Sequence, residues 1–487
     1  MTPPSSDLKL RLPAVLACLI LSGCASVVPQ DDPSFAVDLP AAWSRTDVSA
    51  TAGNPSLALW WQRFNDPLLT RLVAQAITAN TRVKSAEGAL RQARALRDVA
   101  AAVLWPTLGS SASVQRSRSG GQGSTNSFQI GLDAAWEADI FGANRSALAA
   151  SDATARASAA SLGDVQVSIA AEVALAYITL RSAQARLAIA EGNLASQQET
   201  LQITRWRREA GLATSLESEQ ARSLAEQTNA LLPAFFTSIE QNRHALSVLT
   251  GQPPAALSAV LAAAGPVPLA ADDLALNIPA ETLRRRADVR AAEYLVTAAT
   301  AKVAQAEAAR APNFKLGGNL GLNALTVGAL SGGGAVVSAL LASVSLPLFD
   351  GGALRAQVRA QEAAQYQARS AYQAAVLTAL QDVENALVSL AGDRERVLHL
   401  KSAAEAADNA ALLARQRYGS GLVDFQTVLE THRTQLNTQD AVATAGADLS
   451  ADHVLLYKAL GGGWCLDGCD TTPALNEGHG FERNSEK

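Results

Sequence analysis

Past residue 24 the chain contains no run of eighteen apolar residues, so no segment reads as a membrane-spanning helix and further bilayer contact falls to strands. Histidine is sparse: His244, His399, His432, His453 and His479 stand singly, with no HExxH or other ligand spacing. No GxxxxGK occurs to cradle a nucleotide's phosphates. No GxSxG nucleophile elbow occurs either, and "YGSGL" at 418–422 fits neither that motif nor its strand-turn-helix setting. The net charge is −5 and the pI about 5.7, which leaves no clustered basic face for nucleic acid. These absences give no cofactor, no metal and no catalytic residue to assign.

Cysteine is equally scarce, with four in the chain, and two lie near the start. Lys9 and Arg11 precede an uncharged stretch from Leu12 to Leu21, half the ~20 residues needed to span a bilayer. A basic start, a short apolar middle and small residues after it form an export signal, which is removed. Leu21, Ser22, Gly23 and Cys24 resemble the lipobox of bacterial lipoproteins, which implies cleavage before Cys24 and acylation of it. Ala25 after the cysteine implies sorting to the outer membrane. Cys18 leaves with the signal, so Cys465 and Cys469 remain; a small disulfide loop and two free thiols both fit their spacing. His479 is the sole nearby histidine, too few ligands for a zinc site.

The chain repeats itself, and duplication fixes architecture. At an offset of 206, Val83 pairs with Val289, Glu87 with Glu293 and Pro106 with Pro312. The offset drifts to 208 at Phe141 and Phe349, then to 210 at Gly211 and Gly421 and at Gly251 and Gly461. The expected organisation is a signal at 1–23, a lipidated extended segment at 24–59, repeats at 60–260 and 261–463, and a tail at 464–487.

Each repeat reads in the same order. Residues 68–104 are rich in helix formers, and Trp105-Pro106 ends the run. A β-hairpin is predicted over about 106–139. Phe128, Ile130, Leu132, Ala134 and Trp136 make one face and Gln129, Gly131, Asp133, Ala135 and Glu137 the other. A second hairpin is predicted over about 313–348, with Phe314, Leu316, Leu320 and Leu322 on one face and a return strand through Val344, Leu346 and Leu348. Residues 143–208 and 353–417 follow, each proline-free and about 100 Å long as unbroken helix. Each ends at a glycine, Gly211 or Gly421, and a second helix returns from it, giving an alanine-rich coiled-coil hairpin. "LRRRADVRAAE" from Leu283 reads as a helix start with i,i+3 and i,i+4 ion pairs.

On strand pattern alone, a small sheet in a soluble α+β domain fits equally well. The strands are ~10 residues long, however, the length a tilted membrane strand needs, in a chain with a lipoprotein-like start. Four strands cannot close, and an open edge is forbidden in lipid. Three copies would supply twelve, above the roughly eight at which barrels begin.

The chain from about Trp60 to Trp464 resembles the TolC-like superfamily of outer-membrane efflux channels, in particular its OprM/NodT-type lipoproteins. The resemblance is carried, in order, by "WWQRFNDPLLTRLVAQAITAN", "WEADIFGANR", "LRRRADVRAAE", "PLFDGGALRAQ", "RYGSGLVDFQTVLE" and "LYKALGGGW". It implies a mainly α fold with a membrane β-barrel portion. Each protomer of a homotrimer would give four strands to a 12-stranded barrel and long coiled-coil helices to a periplasmic α-barrel. It implies a passive exit duct, not an enzyme, for drugs or other small toxic compounds, working with a periplasmic adaptor and an inner-membrane efflux pump of the RND type. A type I protein-secretion duct and a structural envelope-bridging lipoprotein are the alternatives.

The family's gate lies at the helix tips, which maps to "RREAGLATS" at 207–215 and "RYGSGLVDF" at 417–425, turning at Gly211 and Gly421. Tyr418 is expected as a hydrogen-bonding member of a closed ring and Asp424 as its acidic member, three carboxylates around a narrow axis favouring cations. The alternative is that Tyr418 packs in the helix seam and Asp424 caps the next helix. Glu430 is a lesser candidate. Arg205, Arg207 and Arg208 make the first tip basic, which suits adaptor contact, a salt bridge to the other tip, or a solvated face.

Overall fold

The computed structural model describes residues 40–44, 57–118, 120, 123–270 and 279–464. Cys24, Cys465, Cys469 and His479 lie outside the described residues. The first repeat contains α1 (Pro67–Ala79), α2 (Thr81–Ala102), β1 (Thr107–Ser117), β2 (Thr125–Ala138), α3 (Ala143–Glu209), α4 (Ser215–Asn229) and α5 (Leu232–Leu249). The second contains α6 (Pro279–Arg285), α7 (Ala287–Ala308), β3 (Asn313–Ala324), β4 (Val336–Ser345), α8 (Ala353–Gly419) and α9 (Phe425–Ala459).

The two hairpins join into one antiparallel sheet in the order β1-β2-β3-β4. The register matches face to face across the repeats: Ile130 stands opposite Leu322, Leu132 opposite Leu320 and Trp136 opposite Leu316. Leu108 and Val114 of β1 pair with Ala134 and Phe128, and Val344 of β4 pairs with Phe314. One face is therefore mostly apolar, interrupted by Ser110 and Ser338, and it is open to solvent, Leu340 being 88% exposed and Leu108 72%. The other face is the more polar one, where Ser111 donates to Asp133 at 2.9 Å and Lys315 lies 3.8 Å from Glu137, although β4 adds Val337 and Leu341 to it. The return strand differs from the expectation: it runs from Val336 to Ser345 and stops before Leu346 and Leu348, because Pro347 has no N–H for a ladder.

An aspartate starts each long helix. The Asp139 carboxylate accepts from the N–H groups of Asn144 and Arg145, at 3.1 and 2.8 Å. Asp350 does the same for Gly352 and Leu354, both at 2.8 Å, and these bonds hold its carboxyl below the usual range. That is the physical content of "DIFG" and "LFDG": a strand-to-helix turn whose free amides need an anion.

Three helices depart from the expectation. The predicted run at 68–104 is divided at Asn80, whose extended backbone ends α1 while its side chain accepts from Arg82 N–H at 2.7 Å. The return helix of the first repeat is broken between α4 and α5, because Pro233 cannot donate to the preceding turn. In "LRRRADVRAAE", Arg286 does not form i,i+3 or i,i+4 pairs. It reaches Asp288 at 2.7 Å and Asp382 of α8 at 3.0 Å, and donates to the Ala459 carbonyl. Its extended backbone separates α6 from α7, so the side chain turns back across the fold instead of lying along one helix.

The core joins the two repeats at mid-chain. Trp60 is fully buried and stacks on Tyr457 with ring centroids 5.5 Å apart, with Phe64, Leu69, Val83, Ile169, Val173, Leu180, Val383 and Val454 in the same cluster. Tyr177 donates to Asp66 at 2.7 Å and accepts from Arg181; burial first, then the Asp66 bond, pushes its phenol up to about 12. By length and composition α3 is apolar enough to cross a membrane, against the expectation of no such segment. Its apolar stretch from Ile169 to Leu180 is spent on this core.

The glycines of "ALGGGW" are explained by close approach. A side chain on Gly462 would come within 2.9 Å of the Leu57 carbonyl and 3.1 Å of Trp60. Trp464, hydrogen-bonded to the Arg285 carbonyl at 2.9 Å, lies over Gly163 of α3, where a Cβ would meet its ring at 2.6 Å. Gly163→Ala should therefore lower stability by about 1–3 kcal/mol through overpacking, although alanine is the better helix former. Gly192→Ala, on the same helix with nothing within 4 Å, should raise it by about 0.5–1 kcal/mol. Thermal unfolding of the purified protein compares the two; equal shifts would remove the Trp464 contact from the account.

Candidate functional site

The two tips are built alike. At the end of α3, Leu212 N–H donates to the Arg207 carbonyl at 2.7 Å and Gly211 N–H to Arg208 at 3.0 Å. At the end of α8, Leu422 donates to Arg417 at 2.9 Å and Gly421 to Tyr418 at 3.0 Å. Gly211 and Gly421 sit at φ of +77° and +75°, a region that only glycine enters without strain, so each closes its helix in the same left-handed turn.

The third residue after each glycine caps the return helix. Thr214 and Glu217 form a reciprocal capping box at the start of α4. Asp424 caps α9: its Oδ1 accepts from Thr427 N–H at 2.9 Å and from the Thr427 hydroxyl at 2.6 Å. Those two bonds hold its carboxyl below the usual range, so it is anionic at neutral pH, and its side chain is exposed.

Tyr418 is turned inward. It is 4% exposed and shares a small cluster with Leu224, Ala414, Phe425, Val428 and Leu429, its ring 5.3 Å from that of Phe425. Burial is the largest influence on its phenol and pushes it up, while the Thr204 hydroxyl of α3 lies near it and works the other way. Among the basic residues, Arg207 links the tips without a carboxylate. It donates to the Tyr418 carbonyl at 2.8 Å and lies 4.6 Å over the Tyr418 ring, a cation–π contact in place of a salt bridge. Arg205, Arg208 and Glu430 are exposed. So are Trp206, Leu212, Leu216 and Leu422, each at least 60% exposed, which leaves an apolar rim among the charges.

A feature that inspection of motifs missed lies just inside the tips. Asn193, Gln197, Thr200 and Thr204 line the buried side of α3, where Thr200 meets His432 of α9 and Asn193 meets Gln439. The Asn193 amide donates to Gln439 at 2.7 Å, and Gln435 and Gln439 both donate to Asp408 of α8. The repeat alignment carried the signal, since the second copy has Ala403, Ala407, Ala410 and Ala414 at the four corresponding places. Among the described residues no group of three His, Cys, Asp or Glu side chains is placed to hold a metal.

The outer membrane efflux protein model matches this chain twice, over residues 72–252 and 278–462, one match to each repeat. The chain belongs to the outer membrane efflux protein family. Its relatives include the pyoverdine export outer membrane protein OpmQ of Pseudomonas putida, 32% identical over 94% of this chain and 99% of that one. The outer membrane protein OprJ of Pseudomonas aeruginosa is 30% identical over 93% and 95%. The solved outer-membrane channel OprN superposes with a TM-score of 0.81 at 36% identity, over 87% of this chain and 97% of that one. As an outer membrane efflux protein the chain is an efflux channel with the duplicated TolC-like fold, and it belongs to the outer membrane.

Proposed function

We propose that three copies of this chain form a passive exit duct of a tripartite efflux system, continuous with a periplasmic adaptor and an RND-type inner-membrane pump. The observation that carries the reading is the sheet: four strands, an exposed and mostly apolar face, a more polar opposite face and two unpaired edges, β1 and β4. Joining β4 of one copy to β1 of the next would satisfy both edges, turn the apolar face to lipid and enclose the polar face as a lumen. Relatives bear names of pyoverdine export and of antibiotic and solvent efflux, which supports small organic compounds as the cargo. The energy for transport comes from the pump; the duct supplies a path.

The tips form the periplasmic gate in this reading. Asp424 brings one exposed carboxylate per protomer to the axis, and Tyr418, Phe425 and Arg207 hold the second-repeat tip against the first. Arg205, Arg208 and the apolar rim of Trp206, Leu212 and Leu422 offer the adaptor a surface that is both basic and apolar. Acyl chains on Cys24 are a second attachment beside the barrel. The intact mass of the mature protein is expected to show acylation beginning at Cys24, and an unmodified N-terminus would remove the anchor.

Asp424→Asn separates charge from structure, because asparagine caps a helix about as well as aspartate. Single-channel recording of the purified trimer in a planar bilayer should show a cation preference that falls toward none in the variant, with the thermal midpoint unchanged. An unchanged ion preference would move the constriction away from Asp424, and no conductance from either protein would contradict the duct.

A further inference from the structure

The polar layer above the tips is under-satisfied where it meets His432. This residue is 2% exposed, in the seam between α3 and α9. Its Nε2 lies 3.5 Å from the Thr200 hydroxyl, which already donates to the Ser196 carbonyl at 2.9 Å. Its Nδ1 is buried without a partner, as are both amide atoms of Gln197 one turn away. A neutral imidazole tolerates this, having one N–H to place and one lone pair to leave idle. An imidazolium does not. It must place two N–H groups, and among the described residues Nδ1 has no acceptor at hydrogen-bond distance in the closed seam, Gln435 being the side chain that comes nearest to serving.

The charged groups that face it oppose the cation as well. On α8, Arg415 lies close enough to push the imidazole toward its neutral form, while holding Glu199 of α3 at 3.1 Å and Ser196 at 3.3 Å. Asp408, the carboxylate of α8 in this layer, accepts from Gln435 and Gln439 and stays with those amides. Glu199 is the charged group that α3 contributes, and it is taken by Arg415. From α4 the seam receives Ser218, Ala221 and Leu224, while Glu219 and Arg222 pair with each other at the surface. On α9 itself Glu430 and Arg433 are exposed, and Gln435 is the smallest of the influences on the ring, favouring the cation. Burial is the largest and drives the imidazole below its ordinary range.

We propose that His432 is a proton-sensitive latch of the tip gate: the neutral imidazole lets α9 close on α3, and its protonation releases α9 and widens the aperture. The proposal rests on the tips being the gate. The proton comes from the periplasm and returns to it, with no other group reacting. The sign follows from burial. The folded, closed seam binds the proton less readily than an open one, so the closed state is fully stable above the ordinary histidine range and loses stability as pH falls through it. Opening gives the imidazolium water as its acceptor and relieves Gln197 as well, since a buried polar atom without a partner is costly only while it stays buried. The same layer in the second repeat is alanine, so the weak point lies on one side of each hairpin pair.

The test is conductance of the purified trimer recorded from about pH 8 to about pH 5, the span over which histidine titrates. The wild type should be closed at the upper end and open reversibly as the pH falls. His432→Gln, uncharged and able to meet Thr200, should lose the acid-induced rise while keeping a heat-resistant trimer. Arg415→Gln, which removes the charge that opposes the cation in the closed seam, should let the closed state keep the proton and so shrink the rise or move it to lower pH. Asp452 is a second buried group that titrates in this span, pushed up to about 7 by burial and by Asp393; Asp452→Asn should keep the acid response. A rise that persists in His432→Gln, a wild type indifferent to pH, or a rise unchanged in Arg415→Gln would each overturn the latch. The gate itself is judged separately, by the ion preference of Asp424→Asn at fixed pH, so the latch can fail while the gate stands.

Discussion

The structure depends on one constraint: a backbone N–H or C=O facing hydrocarbon must have a protein partner, since no water is there to supply one. The four strands of this chain meet that demand for β2 and β3 and leave it unmet along the outer edges of β1 and β4. Their mostly apolar face belongs in lipid, yet a single copy cannot put it there. In the proposed duct a neighbouring copy meets that shortfall; within one copy, two hairpins from distant parts of the sequence already pair with residue-for-residue alternation across the β2–β3 seam.

The long helices answer a different problem. They are long with little apolar surface to spare, so alanine is their commonest buried residue, and the large side chains gather at two levels. At mid-chain, Trp60, Tyr457 and the Asp66–Tyr177–Arg181 chain tie both repeats and the ends of the described fold together. At the tips a much smaller cluster around Tyr418 and Phe425 does the same for two turns. Between these levels the seam of α3 with α9 is polar and incompletely bonded. Rigid at the equator and tight but small at the end, the hairpins are weakest in the stretch that a gate would bend.

Much of this was legible in the sequence where a local rule acts alone. The duplication, the alternating strands from Phe128 and Phe314, the uninterrupted helices after Gly142 and Gly352 and the glycine turns at the tips follow from periodicity and φ preferences. The misses came where tertiary contacts decide. Asn80 splits a helix whose residues all favour one, because its side chain satisfies the amides of the next helix and the carbonyl of Leu249. Pro233 divides a return helix that the helix formers around it make read as one. Arg286 reads as a surface ion-pair residue until α8 and the end of α9 are folded against it. Tyr418 and Asp424 were picked out by motif. The fold shows the packing and capping by which they hold the tip, and motif alone did not distinguish those roles from a place in the ring. His432 was dismissed as a lone histidine because its neighbours arrive from another helix.

The central claim is that neighbouring copies join edge to edge through β1 and β4. Cysteines introduced along the two strand edges, in a background with Cys465 and Cys469 replaced by serine, test it directly on the membrane-embedded protein. Oxidation should yield a denaturing-gel ladder that ends at three subunits for at least one pairing register of β1 with β4. A chain that cross-links only to itself, or in pairs that never extend to three, would contradict the barrel and with it the duct.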